Sequence, residues 1–171
     1  MKTVHLLRHA KSDRDNPRIR DHERPLAKRG IKAGELMAEL LGQHGVRVDR
    51  VYCSTSRRTR KTYELVAPAL SGAIVSFRED LYLADGHQLL DFIHNLPALV
   101  DAVMLIGHNP GFHELGILLA DPESAPQDSE RLREKFPTAA LCSLEFSVSN
   151  WQSIKAGQGR LARFIRPRDF E

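Results

Sequence analysis

Cysteine is scarce: the 171-residue chain has only Cys53 and Cys142. They are far apart and form no C-x-x-C pair, so neither a disulfide framework nor a cysteine metal site is expected, and both thiols should be reduced and buried. Aromatic residues make up 6% of the chain, too few and too scattered to build the stacking platform of a single-strand nucleic-acid binder. No segment approaches the roughly 20 consecutive apolar residues of a membrane span. Met1-Lys2-Thr3 runs into a short apolar stretch that stops at Arg8 and His9. That stretch is too short for a secretory signal and lacks a small-residue cleavage site, which places the protein in the cytoplasm. Internal repeats, low-complexity tracts and linkers are also missing, so residues 1–171 read as one domain.

What is present is ordinary globular composition, 42% hydrophobic and 27% charged, with a formal net charge of +3. Mild basicity favours anionic ligands. It does not favour nucleic acid, because basic and acidic residues are interleaved, as in Glu130-Arg131-Leu132-Arg133-Glu134-Lys135.

Hydrophobic patterning predicts strands over 3–7, 50–53, 74–77 and 102–106, and helices over 26–44, 57–70, 86–96 and 110–120. Gly45 is a plausible stop for the first helix. The polar segment 121–137 reads as a surface excursion, 140–146 and 151–155 as a closing pair of strands around Ser149-Asn150, and 161–165 as a last short strand. Strands alternating with helices imply a mostly parallel sheet covered on both faces, a three-layer α/β architecture. Ligands of such sheets sit beyond the carboxyl ends of the strands.

Three strands end in related chemistry. The first delivers Arg8-His9, the second Ser54 followed by Arg57 and Arg58, and the fourth His108-Asn109-Pro110-Gly111. Two histidines and two or three arginines at one sheet edge suit a phosphoryl group. The guanidinium fork matches phosphate oxygens, a neutral imidazole can attack phosphorus, and a helix N-terminus adds N–H donors. Taken singly, Arg8-His9 could be a solvated loop and Gly107-His108-Asn109-Pro110 a mere strand-to-helix junction, with Asn109 capping and Pro110 at the first helical position. The combination carries the chemistry.

LLRHAKS, with Arg8 and His9, resembles the RH[GA] signature of the histidine phosphatase superfamily, the phosphoglycerate-mutase-like group. The stretch from Val51 to Thr62 is similar to that group's S-x-x-x-R-[AT]-x-x-T motif, placing Ser54, Arg58 and Thr62. LIGHNPG resembles its second histidine motif at His108, and Arg24-Pro25-Leu26 with Gly30 its RPL-x-x-x-G segment. RHAKS, DHERPL, LYLA, GHNPG and FPTAAL look most like the SixA-type phosphohistidine phosphatases within it.

The resemblance implies a phosphoglycerate-mutase-like fold and hydrolysis of phosphohistidine on a protein, with inorganic phosphate as product, through a covalent intermediate on His9. Arg8, Arg58 and His108 would hold the phosphoryl oxygens, with no cofactor or metal. Lys11, Ser12, Asn109, Asp21 and His22 are further candidates for contacting phosphate or substrate. Arg57 competes with Arg58, but the motif register favours Arg58. A leaving-group acid is the weakest element; Glu79 and Asp80 are the nearest candidates, in a segment unlike the usual acid-bearing one. Lack of an acid would favour N–P substrates, since a protonated phosphohistidine leaves as neutral imidazole. The expected partner is a phosphorylated protein or a small phosphorylated metabolite, met by a monomer, with neither nucleic acid nor membrane involved. Two alternatives stand beside this reading: a phosphomonoesterase for sugar phosphates or nucleotides, and a phosphoprotein-binding module without turnover.

Overall fold

The structure, a computed structural model, describes every residue from Met1 to Glu171. A six-stranded sheet in the order β3-β2-β4-β1-β5-β6 forms the middle layer. It comprises β1 (Lys2–Arg8), β2 (Arg50–Ser54), β3 (Ile74–Arg78), β4 (Ala102–Gly107), β5 (Leu141–Phe146) and β6 (Arg160–Ile165). The first four strands run parallel, while β5 is antiparallel to both β1 and β6. The helices are α1 (Lys28–Gln43), α2 (Arg57–Val66), α3 (Gly86–His94), α4 (Gly111–Leu119) and α5 (Pro126–Glu134).

Strand alternation explains the two faces. Val103 and Leu105 of β4 join Val4, Leu6, Leu89, Phe112, Leu115 and Trp151 in one core, beneath α3, α4 and α5. Met104 and Ile106 join Leu7, Met37, Leu41, Val51 and Val66 in the other, beneath α1 and α2. Because β4 is buried on both sides it reads as an unbroken apolar run. The helix stop at Gly45 is confirmed: Gly45 takes φ +60, and Val46 N–H donates to Leu41 O at 3.0 Å. Both cysteines are free and buried, and burial pushes each thiol up to about 12. No helix is long and apolar enough to cross a membrane.

Several expectations from sequence need correction. Residues 151–155 are not a strand. Asn150 accepts a hydrogen bond from Ser153 N–H, folding Trp151–Ser153 into a 3-10 turn, and the Trp151 indole donates to the Pro97 and Val100 carbonyls. The antiparallel partner of β5 is β6 instead. The surface excursion at 121–137 contains α5, opened by Pro126 in its first turn. Asn109 does not cap α4, which begins at Gly111; its side-chain N–H donates to Phe136 O at 2.9 Å. The first helix begins at Lys28 rather than Leu26, and the second gives way after Val66 to a 3-10 turn, Ala67–Ala69.

Candidate active site

β1 and β4 are parallel neighbours with Arg8 opposite Gly107, so the residues just beyond them, His9 and His108, emerge side by side. The His9 N–H donates to Gly107 O at 3.0 Å, and the two imidazole centroids lie 5.4 Å apart. β2, on the far side of β4, brings Ser54 to the same edge and turns directly into α2. Ser56 caps that helix by accepting from Thr59 N–H. Arg58, on the buried side of the first turn, therefore points inward, and its side chain is only 6% exposed. Arg57 is exposed and lines an outer cleft with Arg60 and Lys61, so the structure separates the two arginines as the motif register does.

Hydrogen bonds fix the tautomer of each histidine. His9 Nδ1 lies 2.7 Å from the Ala10 carbonyl, which can only accept; Nδ1 carries the proton and the Nε2 lone pair stays free. Burial outweighs the opposing hydrogen bond to the Ala10 carbonyl and, with smaller contributions from Arg58 and Arg8, lowers the His9 pKa to about 3, so the ring is neutral near pH 7. His108 is set the opposite way. Arg58 Nη2, a donor only, stands 3.4 Å from Nδ1, and Nε2–H donates to Ser54 Oγ at 2.7 Å. Burial, His9 and Arg58 lower its pKa to about 3 as well.

The arginines surround this pair. Arg8 Nη1 donates to Phe136 O at 2.9 Å, while its Nε is buried without a partner. Burial and the nearby Arg14 and Arg58 cations hold the guanidinium below its ordinary value, the mark of positive charge in excess. Arg58 donates to the Asp21 carbonyl at 2.7 Å and to Asp21 Oδ2 at 3.0 Å. The Tyr82 hydroxyl donates to the same carboxylate oxygen. Desolvation works against ionisation of Asp21, but the hydrogen bonds from Tyr82 and Arg58 outweigh it and hold the carboxyl below its usual range. The Tyr82 ring meets His108 edge-on at 5.4 Å and His22 at 4.8 Å.

Backbone contacts hold the loop that carries His9. Ala10 N–H donates to Thr62 Oγ1 at 3.0 Å, and Thr62 donates in turn to Arg58 O at 2.8 Å, so loop and helix share one hydroxyl. Ser12 bridges Leu26, and Ala27 N–H donates to Lys11 O at 2.9 Å. Gly30 lets α1 come this close: a Cβ there would stand 2.1 Å from Lys11 O.

Comparison with known proteins agrees with this geometry. Residues 4–82 match the model of the histidine phosphatase superfamily, branch 1. An uncharacterised protein of Mycobacterium tuberculosis is 34% identical over 163 residues, covering 95% of this chain and all (100%) of that one. The chain belongs to the histidine phosphatase superfamily. Among solved structures, one assigned as the phosphohistidine phosphatase SixA of Nakamurella multipartitia superposes with a TM-score of 0.82 at 28% identity, covering 97% of this chain and 96% of that one. The protein histidine phosphatase SixA complexed with tungstate superposes at 0.75 with 26% identity, covering 99% of each chain. The fold is thus phosphoglycerate-mutase-like, and the chain is a hydrolase of the histidine phosphatase superfamily.

Within this histidine phosphatase, Arg8, His9, Arg58 and His108 converge as the motifs imply. Asp21 stands over Arg58, and His22 lies at the rim, with Nε2 2.9 Å from Thr55 Oγ1. Asn109 reaches the site only through the Phe136 carbonyl it shares with Arg8. Ser12 is buried in the loop, whereas Lys11 is exposed and lines a separate groove. Glu79 and Asp80 are exposed, make no hydrogen bond to the histidines or to Arg58, and Asp80 is held by Arg78 at 2.8 Å. The carboxylate that reaches the site is Asp21. Sequence reasoning overlooked Tyr82 and the Phe136 carbonyl. Tyr82 lies in the LYLA segment noted for family likeness, but nothing local tells that its hydroxyl meets a loop about sixty residues earlier in the chain (|i−j| = 61). No set of three or more histidine, cysteine, aspartate and glutamate side chains is grouped to hold a metal ion.

Proposed function

We infer that this enzyme is a metal-independent phosphatase that releases phosphate from phosphohistidine on a protein, with His9 as the transient acceptor. The observation that carries the reading is the hydrogen bonding of Asp21, whose carboxylate accepts from Arg58 and from the Tyr82 hydroxyl and is thereby held below its usual range. Held by Arg58 and Tyr82, it has no proton to give a leaving alkoxide. A phosphohistidine protonated on its second nitrogen needs none, because it departs as neutral imidazole.

In the first step the free Nε2 pair of His9 attacks phosphorus and the N–P bond of the substrate breaks. The substrate leaves as neutral imidazole, and His9 becomes a phosphoimidazolium whose Nδ1–H still donates to Ala10 O. Arg8 and Arg58 neutralise the phosphoryl oxygens. The dianion also favours a proton on His108 Nδ1, converting that atom from acceptor to donor, with Ser54 holding the ring from behind. In the second step water attacks phosphorus, the P–Nε2 bond breaks, His9 returns neutral, and the water protons leave on dihydrogen phosphate.

A protein substrate is supported by the similarity to SixA structures at 26–28% identity. The test is phosphate release in EDTA from a phosphohistidine-bearing protein and from a panel of phosphate monoesters. Release from the phosphoprotein alone, lost in His9→Ala together with any acid-labile phosphoenzyme, is expected. Preference for a monoester would move the activity to small metabolites; binding with no release would leave a phosphoprotein-binding module.

A further inference from the structure

Lys11 stands two residues beyond the nucleophile, yet its side chain lines a groove of about 310 Å³ with Arg29, Lys135, Thr138 and Arg168. Four exposed cations share this groove with one carboxylate, Glu171. None of the four is in an ion pair. Other surface arginines are paired, Arg78 with Asp80, Arg131 and Arg166 with Asp169, and Arg160 with Glu145, whereas this groove brings four unpaired cations together. Cations clustered in excess of nearby acidic charge repel one another, and an anionic partner relieves that repulsion.

The groove adjoins the phosphoryl site. Thr138 precedes Ala139, whose N–H is shared by the Arg8 and His9 carbonyls at 3.1 and 3.0 Å. Lys135 precedes Phe136, whose carbonyl takes the Arg8 guanidinium. The groove is thus joined through the backbone to the segment that holds Arg8 and His9. The charges come from four separate segments: the nucleophile loop, α1, the strand-leading stretch after α5, and the C-terminal turn. Cations drawn from four segments offer separate contacts to several carboxylates on a folded partner.

We propose that this groove docks the acidic surface flanking the phosphorylated histidine of the protein substrate. The proposal rests on the phosphohistidine reading and adds what sets its affinity. The test compares the wild-type enzyme with Arg29→Gln/Lys135→Gln/Arg168→Gln, three exposed side chains without ion pairs. Two substrates are used: a purified phosphohistidine-bearing carrier protein with acidic residues around its histidine, and free phosphohistidine. The triple variant is expected to lose about tenfold in kcat/KM on the protein, carried by KM, and to depend less on ionic strength. Turnover of free phosphohistidine should be unchanged, which also shows that the variant is folded. Unchanged KM for the protein would overturn the docking alone, as would an equal loss on both substrates, which would place the charges on the phosphoryl group. Failure of the wild-type enzyme to release phosphate from either substrate would overturn the functional reading and the docking together.

Discussion

At the scale of single residues the site works through acceptors that dictate protons. The Ala10 carbonyl leaves His9 Nε2 free, and Ser54 turns His108 so that Nδ1 faces Arg58. Ser54→Ala removes the anchor of His108 without touching the nucleophile. Its kcat is expected to fall by about ten- to a hundredfold with little change in KM, somewhat less than the loss of a direct oxyanion donor; an unchanged kcat would mean the ring is held by packing alone. The four central residues were legible in the sequence because each ends or directly follows a strand or lies in the first turn of a helix, where one-dimensional spacing fixes three-dimensional position. Asp21 was only one of several polar residues in an irregular loop, and its role depends on Tyr82 and Arg58, which the chain brings to it from a distance.

At the scale of elements, parallel pairing and tight backbone approaches place the chemistry. The register of β1 on β4 aligns His9 with His108, and α1 leans on the nucleophile loop through Gly30. Gly30→Ala would force a methyl group against the Lys11 carbonyl, and overpacking of this kind costs about 1–3 kcal/mol. Both the unfolding midpoint and kcat should drop, the second because the loop that moves carries His9; a stability loss with full activity would separate the helix from the loop. Most elements could be read from periodicity. The misreading of 151–155 arose because Ser149-Asn150 reads as a hairpin turn between two apolar-containing segments, while Asn150 captures the local backbone. Helix α5 escaped because it buries only Ser129 and Leu132, too little to show a stripe.

For the molecule as a whole, three buried neutral histidines link stability to pH. His5, held between Ser143 and the Arg47 carbonyl, has its pKa lowered to about 4, chiefly by burial, while His9 and His108 are lowered to about 3. All three ordinarily titrate at 6.5. Below that value the unfolded chain takes up protons that the native state refuses, so stability falls as pH is lowered. The loss is fully absent well above 6.5 and grows toward pH 4, with each of the three histidines contributing. Denaturant midpoints at pH 7, 6 and 5 should record the slope, and His9→Asn/His108→Asn should flatten it; parallel curves would assign the acid sensitivity elsewhere. The three-layer sheet itself was foreseeable from strand–helix alternation, whereas the pairing of β5 with β6 and the path of the C-terminal turn depend on long-range packing that no local pattern encodes.

The carboxylate on Arg58 has a consequence for the end of each turnover. Asp21 is tethered beside the Arg58 guanidinium, so under the proposed function it competes with product at a high effective concentration. As phosphate departs, the tethered anion takes its place and speeds escape from a pocket otherwise rich in positive charge. Asp21→Asn should bind inorganic phosphate about tenfold more tightly, so that progress curves bend early as product accumulates. An unchanged inhibition constant for phosphate would mean that the carboxylate and the product never contend for Arg58.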